Sequence, residues 1–107
     1  MKIAITSSGN TTAAKLDRRF GRCAFFAIYD TENKTVDFIE NTAKDAAEGA
    51  GPAAVAIVAR HQVSKIISGE FGFKIKSMLD DLKIQMVMLK EDVAIQEIIE
   101  LLDRSNQ

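Results

Sequence analysis

The chain has 107 residues, 47% of them apolar, and a formal net charge of −1 with acids and bases interspersed. That is enough for one core in one domain spanning residues 1–107, and it excludes a disordered chain or a basic nucleic-acid footprint. A single cysteine excludes an internal disulfide and agrees with a reducing compartment.

Lys2 to Thr6 reads as a short strand, and Ser7-Ser8-Gly9-Asn10-Thr11-Thr12 is a polar loop. The apolar run after Met1 is too short for a signal peptide, and no run approaches the roughly 20 residues that cross a bilayer. The expected location is therefore the cytoplasm, without a membrane partner. Residues 13–22 read as irregular, anchored by Leu16 and Phe20. Cys23 to Tyr29 is a strong strand, Asp30 to Lys34 supplies turn residues, and Thr35 to Glu40 completes a hairpin with its second strand near an edge.

After a loop rich in Ala, Asp and Gly, Pro52 suits the first turn of a helix running to His61. That helix is apolar on nearly every side, which predicts deep burial. Val63 to Ser68 is the fourth strand. Ile75, Met78, Leu79 and Leu82 fall on one face of a helix beginning near Phe71. Ile84 to Leu89 is the fifth strand, with Met86 and Met88 on one face as packing groups. Asp92 can cap a final helix carrying Ile95, Ile98, Ile99 and Leu102.

The order β-β-β-α-β-α-β-α demands an α/β fold with a mixed sheet. Right-handed crossovers give a five-stranded order of 3-2-1-4-5, with strand 2 antiparallel to the rest and three helices, a ribonuclease H-like arrangement. Strands one, three, four and five then end at one edge, where strand two begins. Ser8, Gly9, Gly51, Gly69 and the segment Asp17-Arg18-Arg19-Phe20-Gly21-Arg22-Cys23 all reach that rim. Ligands of open α/β sheets bind there, helix amino termini offer amides to anions, and Arg presents a planar donor fork. Cys beside Arg is expected to ionise more readily than a free thiol. A socket for a small anion, with Cys23 as a metal ligand, is one reading; a basic connector carrying a buried thiol into a strand is the other. His61 falls at the opposite edge, at a helix end.

Absences narrow the chemistry. A ribonuclease H-type nuclease needs clustered carboxylates on its central strands, and Lys2 to Thr6 has none. No Ser-His-Asp arrangement, GxxxxGK[ST] or CxxC is suggested, and one Cys plus one His cannot close a zinc site. The chain is not expected to be an enzyme.

The opening Met1-Lys2-Ile3-Ala4-Ile5, the run Leu16 to Cys23 with Phe26 following, and Gly51-Pro52-Ala53-Ala54 resemble the dinitrogenase iron-molybdenum cofactor biosynthesis family. That family includes the NifX and NafY carriers, the carboxy-terminal part of NifB and small stand-alone proteins. The resemblance covers nearly the whole chain and implies a ribonuclease H-like fold. It also implies non-catalytic carriage of an anionic metal–sulfur cluster or cofactor precursor, of Fe-Mo-S or Mo-Cu-S type. The cargo would be held by Arg19, Gly21, Arg22 and Cys23, with backbone donors near Ser8, Gly9, Gly51 and Gly69. Many relatives carry His directly before Phe-Gly-Arg; Arg19 stands there instead, which removes a metal ligand and strengthens the electrostatic version. A module for a cluster-maturation partner, using Phe71 and Phe73 at the rim, is the alternative; a phosphate or nucleotide binder is a third.

Overall fold

The hydrophobic runs pair into a single sheet, seen in a computed structural model that describes residues 1–105. Its strands are β1 (Lys2–Ser7), β2 (Phe25–Asp30), β3 (Thr35–Glu40), β4 (Lys65–Ser68) and β5 (Gln85–Met88), in the order β3-β2-β1-β4-β5. β1 is antiparallel to β2 and parallel to β4; β3 is antiparallel to β2, and β5 is parallel to β4. The expected topology is therefore present.

The helices are α1 (Ala50–Arg60), α2 (Phe73–Asp81) and α3 (Ile95–Ser105). Successive strand residues point to opposite faces, so β1 feeds two cores. Ala4 joins Phe26, Ile28 and Ile66 against Val55 and Val58 of α1 and Ile75 and Leu79 of α2. Ile3 and Ile5 join Ala27, Tyr29 and Ile67 against Ile95, Ile98 and Ile99 of α3. The last turns of α3 are tied down by polar contacts: the Tyr29 hydroxyl donates to Asp103 Oδ1 at 2.5 Å, and Lys34 Nζ reaches the same oxygen at 3.1 Å.

Several element limits differ from expectation for local reasons. β2 starts at Phe25 rather than Cys23, because the Cys23 carbonyl accepts from the Asn41 side chain at 2.9 Å. α1 starts two residues early, after Gly49 in a left-handed conformation (φ 72°), which leaves Pro52 still within its first turn. That helix is not buried all round: Ala53, Ala56 and Arg60 are exposed. α2 begins at Phe73, since Phe71 is pulled into the core against Phe20. Asp92 does not cap α3. The amides of Ile95 and Gln96 donate instead to the carbonyls of Ala14 and Thr12, at 2.8 and 2.9 Å.

Candidate functional site

Residues 8–23 form a strap laid across the rim where β1 and β4 end. Its first half is stitched to the backbone around it. The Ser8 amide donates to the Lys15 carbonyl, the Leu16 amide to Val93, and the Asp17 amide to Thr6, each at 2.9 Å. Thr6, fully buried, adds a bond from Oγ1 to the Asp17 carbonyl at 2.7 Å and lies 3.0 Å from Ser68 Oγ. These contacts satisfy polar backbone that the strap would otherwise bury unpaired.

The second half then steps residue by residue over the rim. Arg18 passes above Gly69, where a β-carbon would lie 2.5 Å from the Arg18 Cα. Arg19 bridges to Glu70 in parallel fashion, and its side chain pairs with Asp17 at 3.7 Å. Phe20 drops into the core, its ring 5.7 Å from those of Phe26 and Phe71. Gly21 then meets Gly51 at the start of α1, where an added β-carbon would sit 3.0 Å from the Gly51 Cα. Finally Arg22 Nη1 donates to the carbonyls of Lys44 and Ala46, at 3.0 and 2.6 Å.

Asn41, 3% exposed, answers that clasp from the other side. Its Nδ2 donates to the Gly21 and Cys23 carbonyls at 3.1 and 2.9 Å, and its Oδ1 accepts from the Ala43 amide at 3.1 Å. The Phe20-to-Cys23 turn and the 41–46 loop thus hold each other.

What stays accessible is a cleft of about 210 Å³ lined by Arg18, Gly69, Glu70 and Lys90, outside the carboxyl ends of β4 and β5. Among the described residues the ion pairs are Met1–Glu32, Arg19–Asp17 and Lys34–Asp103, so neither Arg18 nor Lys90 is paired. Two unpaired cations around a glycine floor, against one carboxylate, favour an anion.

The expected socket is thus only partly assembled. Gly69 lines the cleft and Arg19 adjoins it through Glu70. Ser8 and Gly9 do not contribute free amides. The Ser8 amide goes to Lys15, and the Gly9 amide to Ser7 Oγ at 3.3 Å. Gly21, Gly51 and Gly69 each sit where a β-carbon would crowd a neighbour; at Gly51 it would lie 2.7 Å from Ile75 Cδ1. Arg22 is committed to two carbonyls. The amino terminus of α3 is filled by the strap's own carbonyls.

Cys23 departs most from expectation. It is fully buried, and its Sγ donates to the Phe20 carbonyl at 3.3 Å. Burial first, and then the Asp17 carboxylate, push its pKa from 9.0 up to about 12, although Arg22 is its neighbour in sequence. It is a neutral packed thiol. His61 lies at the far edge, as the topology requires, in a cleft shared with Lys2, Asp30 and Asp37. Among the described residues no group of three or more His, Cys, Asp or Glu side chains could hold a metal ion.

Lys90 and Asn41 were not singled out by sequence reasoning, and Arg18 was placed in the rim segment without being named among the cargo-holding residues. Lys90 had a signal, since it directly follows the fifth strand at the rim. Asn41 ends the hairpin and opens the loop before α1, a position where a short amide side chain commonly organises backbone.

A family model described as dinitrogenase iron-molybdenum cofactor matches residues 1–105. An uncharacterized protein of Methanocaldococcus jannaschii is 35% identical over 89 residues, which cover 80% of this chain and 72% of that one. The apo form of the orange protein from Desulfovibrio gigas superposes with a TM-score of 0.88 and 25% identity, covering 96% of this chain and 88% of its own. A candidate NifB protein from Thermotoga, solved by NMR, gives 0.82 and 30% identity, over 96% and 87% of the two chains. No helix among the described residues is long and apolar enough to cross a membrane.

Proposed function

Starting from the premise that the chain belongs to the dinitrogenase iron-molybdenum cofactor family, we propose that it is a small non-catalytic carrier of an anionic metal–sulfur cluster or cofactor precursor. Family membership points to handling of the iron-molybdenum cofactor; the carrier role, a cargo of Fe-Mo-S or Mo-Cu-S type, a cytoplasmic setting and a ribonuclease H-like classification are our reading. The observation that carries it is the concave rim where Arg18 and Lys90, unpaired among the described residues, line one cleft with Gly69. Charge-assisted hydrogen bonds contribute about 1.5–3 kcal/mol each, so two such groups account for much of a micromolar affinity. Arg19 adds charge beside the cleft. Cys23, closed off beneath the strap, reaches the cargo only if the strap opens.

Anaerobic loading of the purified protein with tetrathiomolybdate and copper(I), or with iron-molybdenum cofactor precursor, tests this. Visible absorption that stays with the protein through gel filtration, and is lost in an Arg18→Ala, Lys90→Ala double variant, is the expected result. Wild-type protein that elutes colourless with both cargoes would overturn it.

A second reading, a module that binds a cluster-maturation protein, is favoured by one feature. Phe73, at the first turn of α2 on the same rim, is 91% exposed. A complex from anaerobic extract that survives metal removal and fails with Phe73→Ala would support it.

A further inference from the structure

The other end of the sheet carries an unused edge. β3 is the outermost strand, with no neighbour beyond it among the described residues. Asn41, just past its end, donates its amide inward to the Ala24 carbonyl at 3.0 Å. The two-residue period of an antiparallel ladder then sends the backbone groups of Val36, Phe38 and Glu40 outward. The same alternation places Val36 and Phe38 on the α3 face, where both pack at the border of that core and remain partly exposed.

We propose that this edge is a seam for a second copy of the chain, which adds β3 to β3 in antiparallel fashion about Asp37 and so joins two sheets into one. The outward groups allow two central registers. Centred on Phe38, Val36 faces Glu40 and Asp37 faces Ile39, setting charge against apolar surface in every flanking pair. Centred on Asp37, Val36 faces Phe38 twice and Thr35 faces Ile39 twice, while Lys34, in the left-handed turn just before the strand, brings its long side chain near Glu40. Cross-strand apolar and opposite-charge pairs are the stabilising kind, so chemistry selects the second register. It also extends the α3-face core across the seam. Lys34, whose Nζ already lies 3.1 Å from Asp103, would sit between two carboxylates.

One pair opposes association. In this register the two Asp37 residues form a non-hydrogen-bonded pair, the closely spaced kind, with Cα atoms about 4.5 Å apart. Like charges directly opposite are destabilising, and charged residues on edge strands are a common guard against pairing. The cleft at Asp37 also holds Lys2, Asp30 and His61. Asp37 therefore keeps the dimer weak and reversible.

Sedimentation equilibrium of the full chain tests this. Asp37 is exposed, so its replacements leave the fold intact. Asp37→Asn is expected to tighten dimerisation roughly five- to tenfold, the effect of relieving one like-charge pair near water. Glu40→Lys, which sets Lys against Lys34, is expected to weaken it. Under mild oxidation Asp37→Cys should give a disulfide-linked dimer much faster than Thr35→Cys, because only residue 37 meets itself across the two-fold axis. The native Cys23 is fully buried and does not compete. An Asp37→Asn variant that stays as monomeric as the wild type, or equal cross-linking rates for the two cysteine variants, would overturn the proposal.

Discussion

A β-carbon on residue 69 would sit 2.5 Å from the Cα of Arg18 and 2.9 Å from its carbonyl oxygen. Contacts that close to backbone cannot be relieved by a side-chain rotation. Gly69→Ala is therefore expected to lift the strap and cost about 1–3 kcal/mol, the range for overpacking a well-filled site. Urea denaturation measures the loss, and cargo affinity should fall with it because Arg18 is displaced from the cleft.

Arg18 and Arg22 separate binding from stability. Arg18→Ala should leave the unfolding midpoint within about 0.5 kcal/mol of wild type, as for an exposed side chain without structural contacts, while weakening anion retention about tenfold or more. Arg22→Ala removes donors from the Lys44 and Ala46 carbonyls. It should cost about 1–2 kcal/mol of stability and reduce binding far less. Thermal melts and anaerobic titrations of the two variants check both halves.

The buried thiol predicts an alkaline signature. Cys23 stays protonated in the folded chain up to about 12, while in the unfolded chain it ionises near 9.0. Its contribution to stability is thus complete below pH 9.0 and is lost as pH rises toward 12. The slope inside that window is about 1.4 kcal/mol per pH unit. Tyr29, raised from 10.0 to about 12 by burial and by Asp103, acts in the same direction. Comparing denaturation of wild type and Cys23→Ala at pH 8, 9.5 and 10.5 isolates the thiol, and a thiol reagent should leave native Cys23 unmodified at pH 8.

The Asp103 clasp predicts an acid signature of the opposite sign. The Tyr29 hydroxyl, followed by Lys34, holds the Asp103 carboxyl below its ordinary 3.8. That stabilisation is present above pH 3.8 and is lost as pH falls through the lowered value. Tyr29→Phe should shrink the acid-side loss and speed amide hydrogen exchange in the last two turns of α3, with the rim unaffected.

Strand order could be read from sequence because it rests on local facts: the short apolar run in Lys2 to Thr6, the turn residues Asp30 to Lys34, the one-face spacing of Ile75, Met78, Leu79 and Leu82. Right-handed crossovers then left a single arrangement. The site was less legible because its decisive contacts join residues far apart in the chain. Gly69 is glycine on account of Arg18, Gly21 on account of Gly51, and Gly51 on account of Ile75. Nothing within a few residues of Arg22 reveals that the Lys44 and Ala46 carbonyls will accept from its guanidinium. For Cys23 the local cue pointed the wrong way. A neighbouring Arg suggests a thiolate, yet enclosure by Phe20, Asn41 and the strap decides the matter.

The amino-terminal strap is fastened to the far end of the chain, through Ala14 to Ile95 and Thr12 to Gln96. Translation delivers Ile95 and Gln96 only after all five strands, so residues 12–14 gain this fastening last, while Asp17 is already held by Thr6. A nascent protein halted before residue 95 would therefore keep the Arg18 end of the strap seated and lose the hold on its first turn.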